Sequence, residues 1–170
     1  AFSAPFIGAF ADIRGNKKKF FIFFLLLGLV FSVVAAFVDI WQMMLFGYIL
    51  SYIGFAGSCL ICDSFLTDVT TTERMDSISS WAYALGYIGG STIPFLASIA
   101  LVMFGEKIGV DSVEAVKYSV LIMVVWWAVF SIPLLKDVNQ NYYVERPKEG
   151  VFKKTVQSVF KTAQLIVKNK

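Results

Sequence analysis

Acidic and basic side chains that could pair with one another gather in two short clusters of this chain. The first cluster, residues 12–19, holds Asp12, Arg14 and three consecutive lysines, and the second, residues 62–74, holds three carboxylates and Arg74. Opposite charges on neighbouring loops attract, so such pairs can hold one face of a protein shut in one state and release it in another. The candidate gating residues in and beside these clusters are Gly8, Asp12, Arg14, Gly15, Lys17, Asp63, Asp68, Glu73 and Arg74.

Residue types in the first cluster predict separate local roles. Gly8 would let another helix approach closely, and Gly15 permits the positive φ of a tight turn. Asp12 could accept hydrogen bonds from the N-terminus of a neighbouring helix, where the helix dipole favours a carboxylate. For Lys17–Lys19 the alternative that they only mark topology stays open.

The second cluster offers carboxylates, but little else that catalysis needs. A membrane-embedded enzyme would require His, metal ligands or a phosphate-cradling glycine loop beside them, and the chain has no His. Cys59 and Cys62 form a Cys-x-x-Cys inside an apolar run with no second ligand pair, which argues against zinc or redox chemistry. We therefore expect no catalytic residue, no metal and no cofactor. Thr70 and Glu73 have the spacing of a capping box that would start a helix.

The composition predicts that the elements carrying these clusters lie in a lipid bilayer. The chain is 58% hydrophobic and 16% charged, with a mean hydropathy of +0.71. Soluble domains have about 45–50% apolar and about 25% charged residues. So few charges cannot cover a soluble globule, and the apolar surface must face lipid.

Four uncharged stretches are long enough, or nearly so, to cross a bilayer of about 30 Å, which takes about 20 residues of helix. They are residues 20–38, 40–62, 77–104 and 118–135, and residues 1–11 have the character of the end of a further span. None alternates apolar and polar residues as a barrel strand does. The predicted fold is therefore all-α, a polytopic transmembrane helix bundle.

The connecting segments predict the orientation of the bundle. Alternating the spans places thirteen of the fifteen Lys and Arg residues on one face, and such an excess marks the cytoplasmic side. Loops 12–19 and 63–76 and the segment 136–170 would be cytoplasmic, and loop 105–117 would lie outside. Asp63 would end its span at the interface, where a solvated helix end is as good an explanation as gating.

The C-terminal segment changes its pattern after a polar linker. Apolar residues recur at helical spacing between 151 and 168, with lysines largely off that stripe. This pattern predicts an amphipathic helix in the cytoplasmic interface, and a helix packed on a soluble domain is the alternative.

The first cluster resembles the signature that the major facilitator superfamily carries between its second and third helices. That signature is Gly, three residues, Asp, two residues, Gly and then basic residues, and Gly8, Asp12, Gly15 and Lys17 fall on it. Ile13 and Asn16 stand where basic residues are commonest. The resemblance implies a partial N-terminal six-helix half, with the predicted spans as the end of helix two and helices three to six.

A second stretch resembles the vacuole-effluxer branch of the superfamily, whose autophagy-related members export amino acids. Asp63-Ser64-Phe65-Leu66-Thr67-Asp68, then Glu73-Arg74, then Ser80-Trp81-Ala82-Tyr83-Ala84-Leu85-Gly86-Tyr87-Ile88-Gly89-Gly90 are similar to that branch. Resemblance to the superfamily places helices four and five around the central cavity. The candidate cavity-lining residues on them are Tyr48, Ser51, Tyr52, Ser58, Tyr83, Tyr87, Ser91 and Thr92. Gly86, Gly89, Gly90 and Pro94 are candidates for close helix packing, or for flexure.

The resemblance implies secondary transport of a small solute, with amino acid efflux as the specific expectation. The expected partners are the lipid bilayer, a small-molecule substrate and a missing C-terminal half, with no nucleic acid. The expected location is the cell membrane in a bacterium or the vacuolar membrane in a fungus. The alternatives are a non-transporting scaffold or receptor, and an embedded enzyme.

Overall fold

The computed structural model describes residues 4–145 and four helical positions near the C-terminus, 156, 157, 159 and 161. Seven α-helices occupy residues 4–145, joined by short turns: α1 Ala4–Ala11, α2 Lys17–Phe37, α3 Trp41–Ser64, α4 Leu66–Val69, α5 Met75–Leu85, α6 Ile93–Phe104 and α7 Ser112–Asp137. A π-helical segment, Gly86–Thr92, joins α5 to α6 without a break. The interfacial helix predicted at 151–168 lies outside the described residues, apart from those four positions.

Four continuous helical stretches are long and apolar enough to cross a membrane: Lys17–Phe37, Trp41–Val69, Thr72–Ile108 and Ser112–Asp137. The predicted all-α transmembrane bundle is therefore confirmed, and the chain is an integral, multi-pass membrane protein. The helices extend past some uncharged runs, since α2 begins at Lys17 and α7 at Ser112. A charged residue can belong to the end of such a helix when its side chain reaches water or, as with Lys17, a partner of opposite charge.

The contact between α2 and α3 is the tightest in the bundle, and glycines form it. A Cβ atom on Gly54 would overlap the backbone of Gly28 on the facing helix, and one on Gly57 would overlap the ring of Phe24. Because these positions lack side chains, the two backbones approach closely. The Ser32 and Ser51 hydroxyls, 2.6 Å apart, add a hydrogen bond across the same contact.

A small buried cluster lies at the end of this contact nearest the α1–α2 loop. It consists of Ala11, Phe21, Phe24, Leu25, Ile61 and Phe65. The cluster joins α1, α2 and α3, with Leu134 and Leu135 of α7 packed against it. The first charged cluster, residues 12–19, therefore follows directly on the end of α1, which is packed in this buried cluster.

The π-helical segment and α6 pack against α7. The Trp126 indole N–H donates to the carbonyl of Gly89 at 3.1 Å, and Pro94 is fully buried. Gly86, Gly89 and Gly90 have open space where a Cβ would stand. Among the described glycines, Gly28, Gly54 and Gly57 leave no room for a Cβ atom. A packing role for the glycines of the π-helical segment stays a prediction.

The loop predicted at 63–76 contains a short helix that the sequence did not indicate. Helix α4 ends at Val69 with Thr70 as its extended C-cap, so the next helical turn, Thr72–Arg74, starts from Thr71. Thr71 makes no side-chain cap. The capping box predicted from Thr70 and Glu73 was wrong, because Thr70 belongs to the end of the preceding helix.

Candidate functional site

A buried ion pair joins the two charged clusters. Lys17, the first residue of α2, places its Nζ 2.8 Å from Oδ2 of Asp68 in α4. The two side chains are 3% and 0% exposed. The Lys17 ammonium also donates to the carbonyl of Ser64 at 3.0 Å and lies 3.7 Å from the Asp12 carboxylate. A buried pair is tolerated when further hydrogen bonds satisfy both ions, and here they do.

The second oxygen of Asp68 binds the segment that follows α7. Its Oδ1 accepts from the backbone N–H of Asn141 at 2.7 Å and of Tyr142 at 2.8 Å. The Asn141 amide returns a hydrogen bond to the Asp68 carbonyl at 2.8 Å. The carboxylate therefore has three strong donors, one from α2 and two from residues beyond α7.

Residues 138–145, which we call the α7 extension, run alongside the α1–α2 loop. Val144 donates to the carbonyl of Asp12 at 2.8 Å and accepts from Arg14 N–H at 3.1 Å, forming one parallel bridge between Ile13 and Val144. The Gln140 side chain accepts from Gly15 N–H at 2.9 Å. Its Nε2 lies 3.2 Å from the Asp12 carbonyl.

The loop, α4 and the α7 extension together make up what we call the charged corner. Of the predicted gating residues, it brings together Asp12, Arg14, Gly15, Lys17 and Asp68. Gly15 has φ of 75°, as its predicted turn role requires. Arg14 is on the outer surface, where it pairs with Glu145 at 3.3 Å with side chains 64% and 71% exposed.

The remaining predicted gating residues, Gly8, Asp63, Glu73 and Arg74, make no hydrogen bond or ion pair with Lys17 or Asp68, although Glu73 lines the same cavity as Lys17. No atom lies within 4 Å of a Cβ built on Gly8, so no described helix approaches it. Glu73 and Asp12 border an open cavity of about 640 Å³, lined also by Thr67 and Tyr142. Within residues 4–145, neither Glu73 nor Arg74 forms an ion pair.

Asp63 lies in a different cavity, which we call the α3–α5 groove. It has a volume of about 600 Å³ and a mainly apolar lining, with polar groups from Asp63, Ser79, Tyr83, Tyr87 and Ser91. Asp63 is the one charged residue of this lining, and no described cation pairs with it. The groove thus brings together three predicted cavity-lining residues and one predicted gating residue.

The other predicted cavity-lining residues lie elsewhere. Ser51 is engaged with Ser32, and Ser58 is 2% exposed and donates to the carbonyl of Phe55 in its own helix. The structure therefore places both serines in contacts within or between helices, and their predicted position on the central cavity stays a prediction. Tyr48 and Tyr52 are exposed on α3 outside the groove, and the Thr92 hydroxyl bonds the Tyr87 carbonyl in the π-helical segment.

Sequence reasoning missed Gln140 and Asn141 entirely. Both lie in a stretch that its polar composition marked as a linker, and their partners are more than seventy residues away in the chain. The one available signal was the run Asn139-Gln140-Asn141 directly after a span. Amide side chains both donate and accept, so they suit a segment that binds loop backbone.

Comparison with known proteins gives two matches. The family model described as Major Facilitator Superfamily matches residues 1–169. A Bacillus subtilis (strain 168) protein described as the uncharacterized MFS-type transporter YxiO is 41% identical over 150 residues, which are 86% of this chain and 35% of that protein. The chain thus spans about a third of the length of this relative. No solved structure matches significantly.

Proposed function

This chain belongs to the Major Facilitator Superfamily, and we propose that it forms part of a secondary transporter that moves a small solute across a membrane by alternating access. The chain would rock against a second half of the protein, with the solute bound between the two. Family membership favours a transporter over a scaffold, a receptor or an enzyme.

The α3–α5 groove is the observation that carries this proposal. Its volume of about 600 Å³ falls in the range of about 300–1,000 Å³ that small-molecule sites occupy. An apolar wall with a few polar groups is also typical of such sites. Tyr83, Tyr87 and Ser91 supply hydroxyls along one helix, so a solute entering the groove would meet hydrogen-bonding groups at successive depths.

The charge of the groove favours a solute with an ammonium group. Asp63 supplies a carboxylate that no described lysine or arginine neutralises, and the tyrosine rings can attract a cation through their faces. An amino acid carries such an ammonium group. Together with the resemblance to the vacuole-effluxer branch, this supports amino acid efflux, across the cell membrane if the chain is bacterial like its relative.

The test is flux through the full-length protein reconstituted in liposomes. Labelled amino acids, sugars and cationic drugs would be offered separately, and we expect flux of ammonium-bearing solutes. Asp63→Asn should reduce that flux at least tenfold, whereas Asp76→Asn should leave it unchanged, because Asp76 is an exposed carboxylate outside the groove. Flux of none of the solutes would contradict transport, and chemical turnover of a solute would support an enzyme.

The predicted orientation has an independent test in the same protein. Lys107 is expected outside and Glu145 in the cytoplasm, because the lysine-rich and arginine-rich segments favour the cytoplasmic face. Tags inserted near each position should be labelled from opposite sides of intact cells. Labelling of both from one side would contradict the topology.

A further inference from the structure

The α7 extension makes more polar contacts with the α1–α2 loop and α4 than a linker needs. It leaves α7 at Asp137 and turns back across two elements that are distant in sequence. Backbone groups of Asn141, Tyr142 and Val144 and the side chains of Gln140 and Asn141 all have partners there. A solvated linker would leave these groups to water.

We propose that Gln140 and Asn141 are positioning residues that clamp the α1–α2 loop and Asp68 into one rigid unit, and that this unit stays intact throughout the transport cycle. The part about the cycle rests on the proposed function, and the clamp itself does not. The inference gives residues 138–145 a role that neither the signature loop nor the groove requires.

The geometry of Gln140 suits this role. Its Oε1 accepts from Gly15 N–H, and its Nε2 lies 3.4, 3.2 and 3.4 Å from the carbonyls of Ala11, Asp12 and Ile13. One side chain therefore engages the end of α1, the turn and its glycine at once. Gly15 has a positive φ, which glycine adopts without steric cost, and in that conformation its N–H reaches the Gln140 side chain.

Asp68 connects the same clamp to the ion pair. One carboxylate oxygen bonds Lys17 and the other bonds the backbone of Asn141 and Tyr142. With the extension in place the Asp68 side chain is fully buried, and opening the clamp would deprive it of two of its three donors, which is costly for an ion inside a protein. The ion pair and the extension should therefore separate together or not at all.

All of these contacts lie inside residues 11–145, so none has to break when this half rocks against another. Lys17 is on this reasoning not a mobile gate. Within the charged corner, the charged groups free to exchange partners between states are the exposed ones, Arg14 and Glu145, and the half-exposed Asp12. On this reasoning the buried pair, Lys17 and Asp68, leaves the predicted gating set, and the exposed Glu73 and Arg74 stay in it.

Hydrogen exchange of the full-length protein in nanodiscs tests the clamp without any substrate. In the wild type, the amides of Gly15, Asn141, Tyr142 and Val144 should exchange at least a hundredfold more slowly than in an unstructured peptide. Gln140→Ala should speed exchange at Gly15 at least tenfold and leave α6 unchanged. Asn139→Ala is the matched control, because Asn139 is exposed and bonds no described residue.

Gln140→Glu keeps the acceptor for Gly15 but cannot donate to the three carbonyls, so exchange between that of the wild type and Gln140→Ala is expected. This milder variant keeps the test open if Gln140→Ala does not fold. Exchange at Gly15 that is equal in the wild type and Gln140→Ala would overturn the clamp, as would peptide-like exchange at Asn141 in the wild type.

A disulfide tests whether the unit stays intact during transport. Ile13→Cys and Val144→Cys, placed across the parallel bridge in a Cys59→Ser/Cys62→Ser background, would lock the extension to the loop. Flux of the labelled amino acid that the background carries should be the same before and after oxidation. Loss of flux on oxidation, reversed by reductant, would show that the clamp must open.

The effect on rate separates positioning from substrate binding. Gln140→Ala should lower the maximal flux at least fivefold with an unchanged half-saturation concentration, whereas Asn139→Ala should change neither. A changed half-saturation concentration at unchanged maximal flux would overturn the positioning role. If the wild type carries no solute, the proposed function fails, and the hydrogen exchange measurement still decides the clamp.

Discussion

Replacing Asp68 with asparagine should destabilise the protein much more than breaking its exposed ion pair. Asparagine keeps the size of the side chain, and its amide oxygen can still accept from the backbone of Asn141 and Tyr142. What is lost is the charged acceptor facing Lys17, whose side chain is 3% exposed, and the asparagine NH2 group, a donor, takes its place opposite the ammonium. The variant therefore isolates the ion pair from the rest of the charged corner.

The expected magnitude follows from burial and from the partners that remain. Removing one member of a buried pair costs about 3–5 kcal/mol, because the other charge stays buried. Lys17 keeps the Ser64 carbonyl at 3.0 Å and the Asp12 carboxylate at 3.7 Å, which offset part of that cost. We therefore expect the lower end of the range, about 3 kcal/mol. The exposed pair of Arg14 and Glu145 should contribute no more than about 1 kcal/mol.

The assay is unfolding of the full-length protein in mixed micelles by titration with dodecyl sulfate, followed by tryptophan fluorescence. Asp68→Asn, Lys17→Met, the double variant and Glu145→Gln would be compared with the wild type. Because the double variant removes both charges, it should cost at least about 2 kcal/mol less than the sum of the single variants. Glu145→Gln is the matched control, a carboxylate made neutral in an exposed pair.

Two results would refute this reasoning. If Asp68→Asn cost no more than Glu145→Gln, the Lys17 pair would be solvated in the whole protein. If the two single variants were additive, the ions would not interact, whatever their separation.

Three further substitutions are expected to change the same unfolding free energy. Gly54→Ala should cost about 1–3 kcal/mol, since its Cβ overlaps the Gly28 backbone. Gly89→Ala should cost nothing, since a Cβ there meets no described atom. Asp111→Ala should cost about 1 kcal/mol, because its carboxylate caps α7 by accepting from Val113 N–H and Glu114 N–H. Asp137 caps no described helix, so an equal cost for Asp137→Ala would contradict the capping role of Asp111. Trp126→Phe should cost about 1 kcal/mol for the lost hydrogen bond to Gly89. Trp41 is 66% exposed, so Trp41→Phe should leave the unfolding free energy unchanged.

The membrane-spanning helices could be predicted from the sequence because lipid imposes one simple requirement. Every buried backbone group needs a partner inside its own segment, so a long uncharged run has a single stable form. That reasoning works within each segment and needs no knowledge of its neighbours. It accounts for the confirmed fold class.

The charged corner could be predicted only in part, because its contacts join distant segments. The signature loop indicated that Asp12 and Lys17 matter, and the second cluster included Asp68. Nothing local indicated that Asp68 would be buried, since helix α4 has only four residues and isolated helices of that length are unstable. The stability of α4 must come from the ion pair and the α7 extension. No local sequence pattern indicates contacts with residues so distant in the chain.

The closest helix contact was also beyond prediction. Gly86, Gly89 and Gly90 drew attention because they cluster in sequence just before a proline, whereas Gly28 is the one glycine of its apolar run and faces Gly54 on another helix. Close approach depends on which helix faces meet, and two single glycines facing each other allow it as well as a cluster. Which faces of two helices meet is decided by the whole bundle and cannot be derived from either segment alone.

The three consecutive lysines, residues 17–19, lie within one turn of helix but have different surroundings, which the sequence alone does not indicate. Successive residues of an α-helix point about 100° apart, so only one of the three can enter the charged corner, and the structure gives that place to Lys17. Lys18 turns to the end of α7, where it donates to the Leu135 carbonyl at 2.9 Å and where the helix dipole favours a cation. Lys19 is exposed. Counting basic residues to predict membrane topology treats the three lysines alike. Replacing Lys19 by Glu would test the predicted orientation without breaking a described contact, which the same change at Lys17 or Lys18 would not.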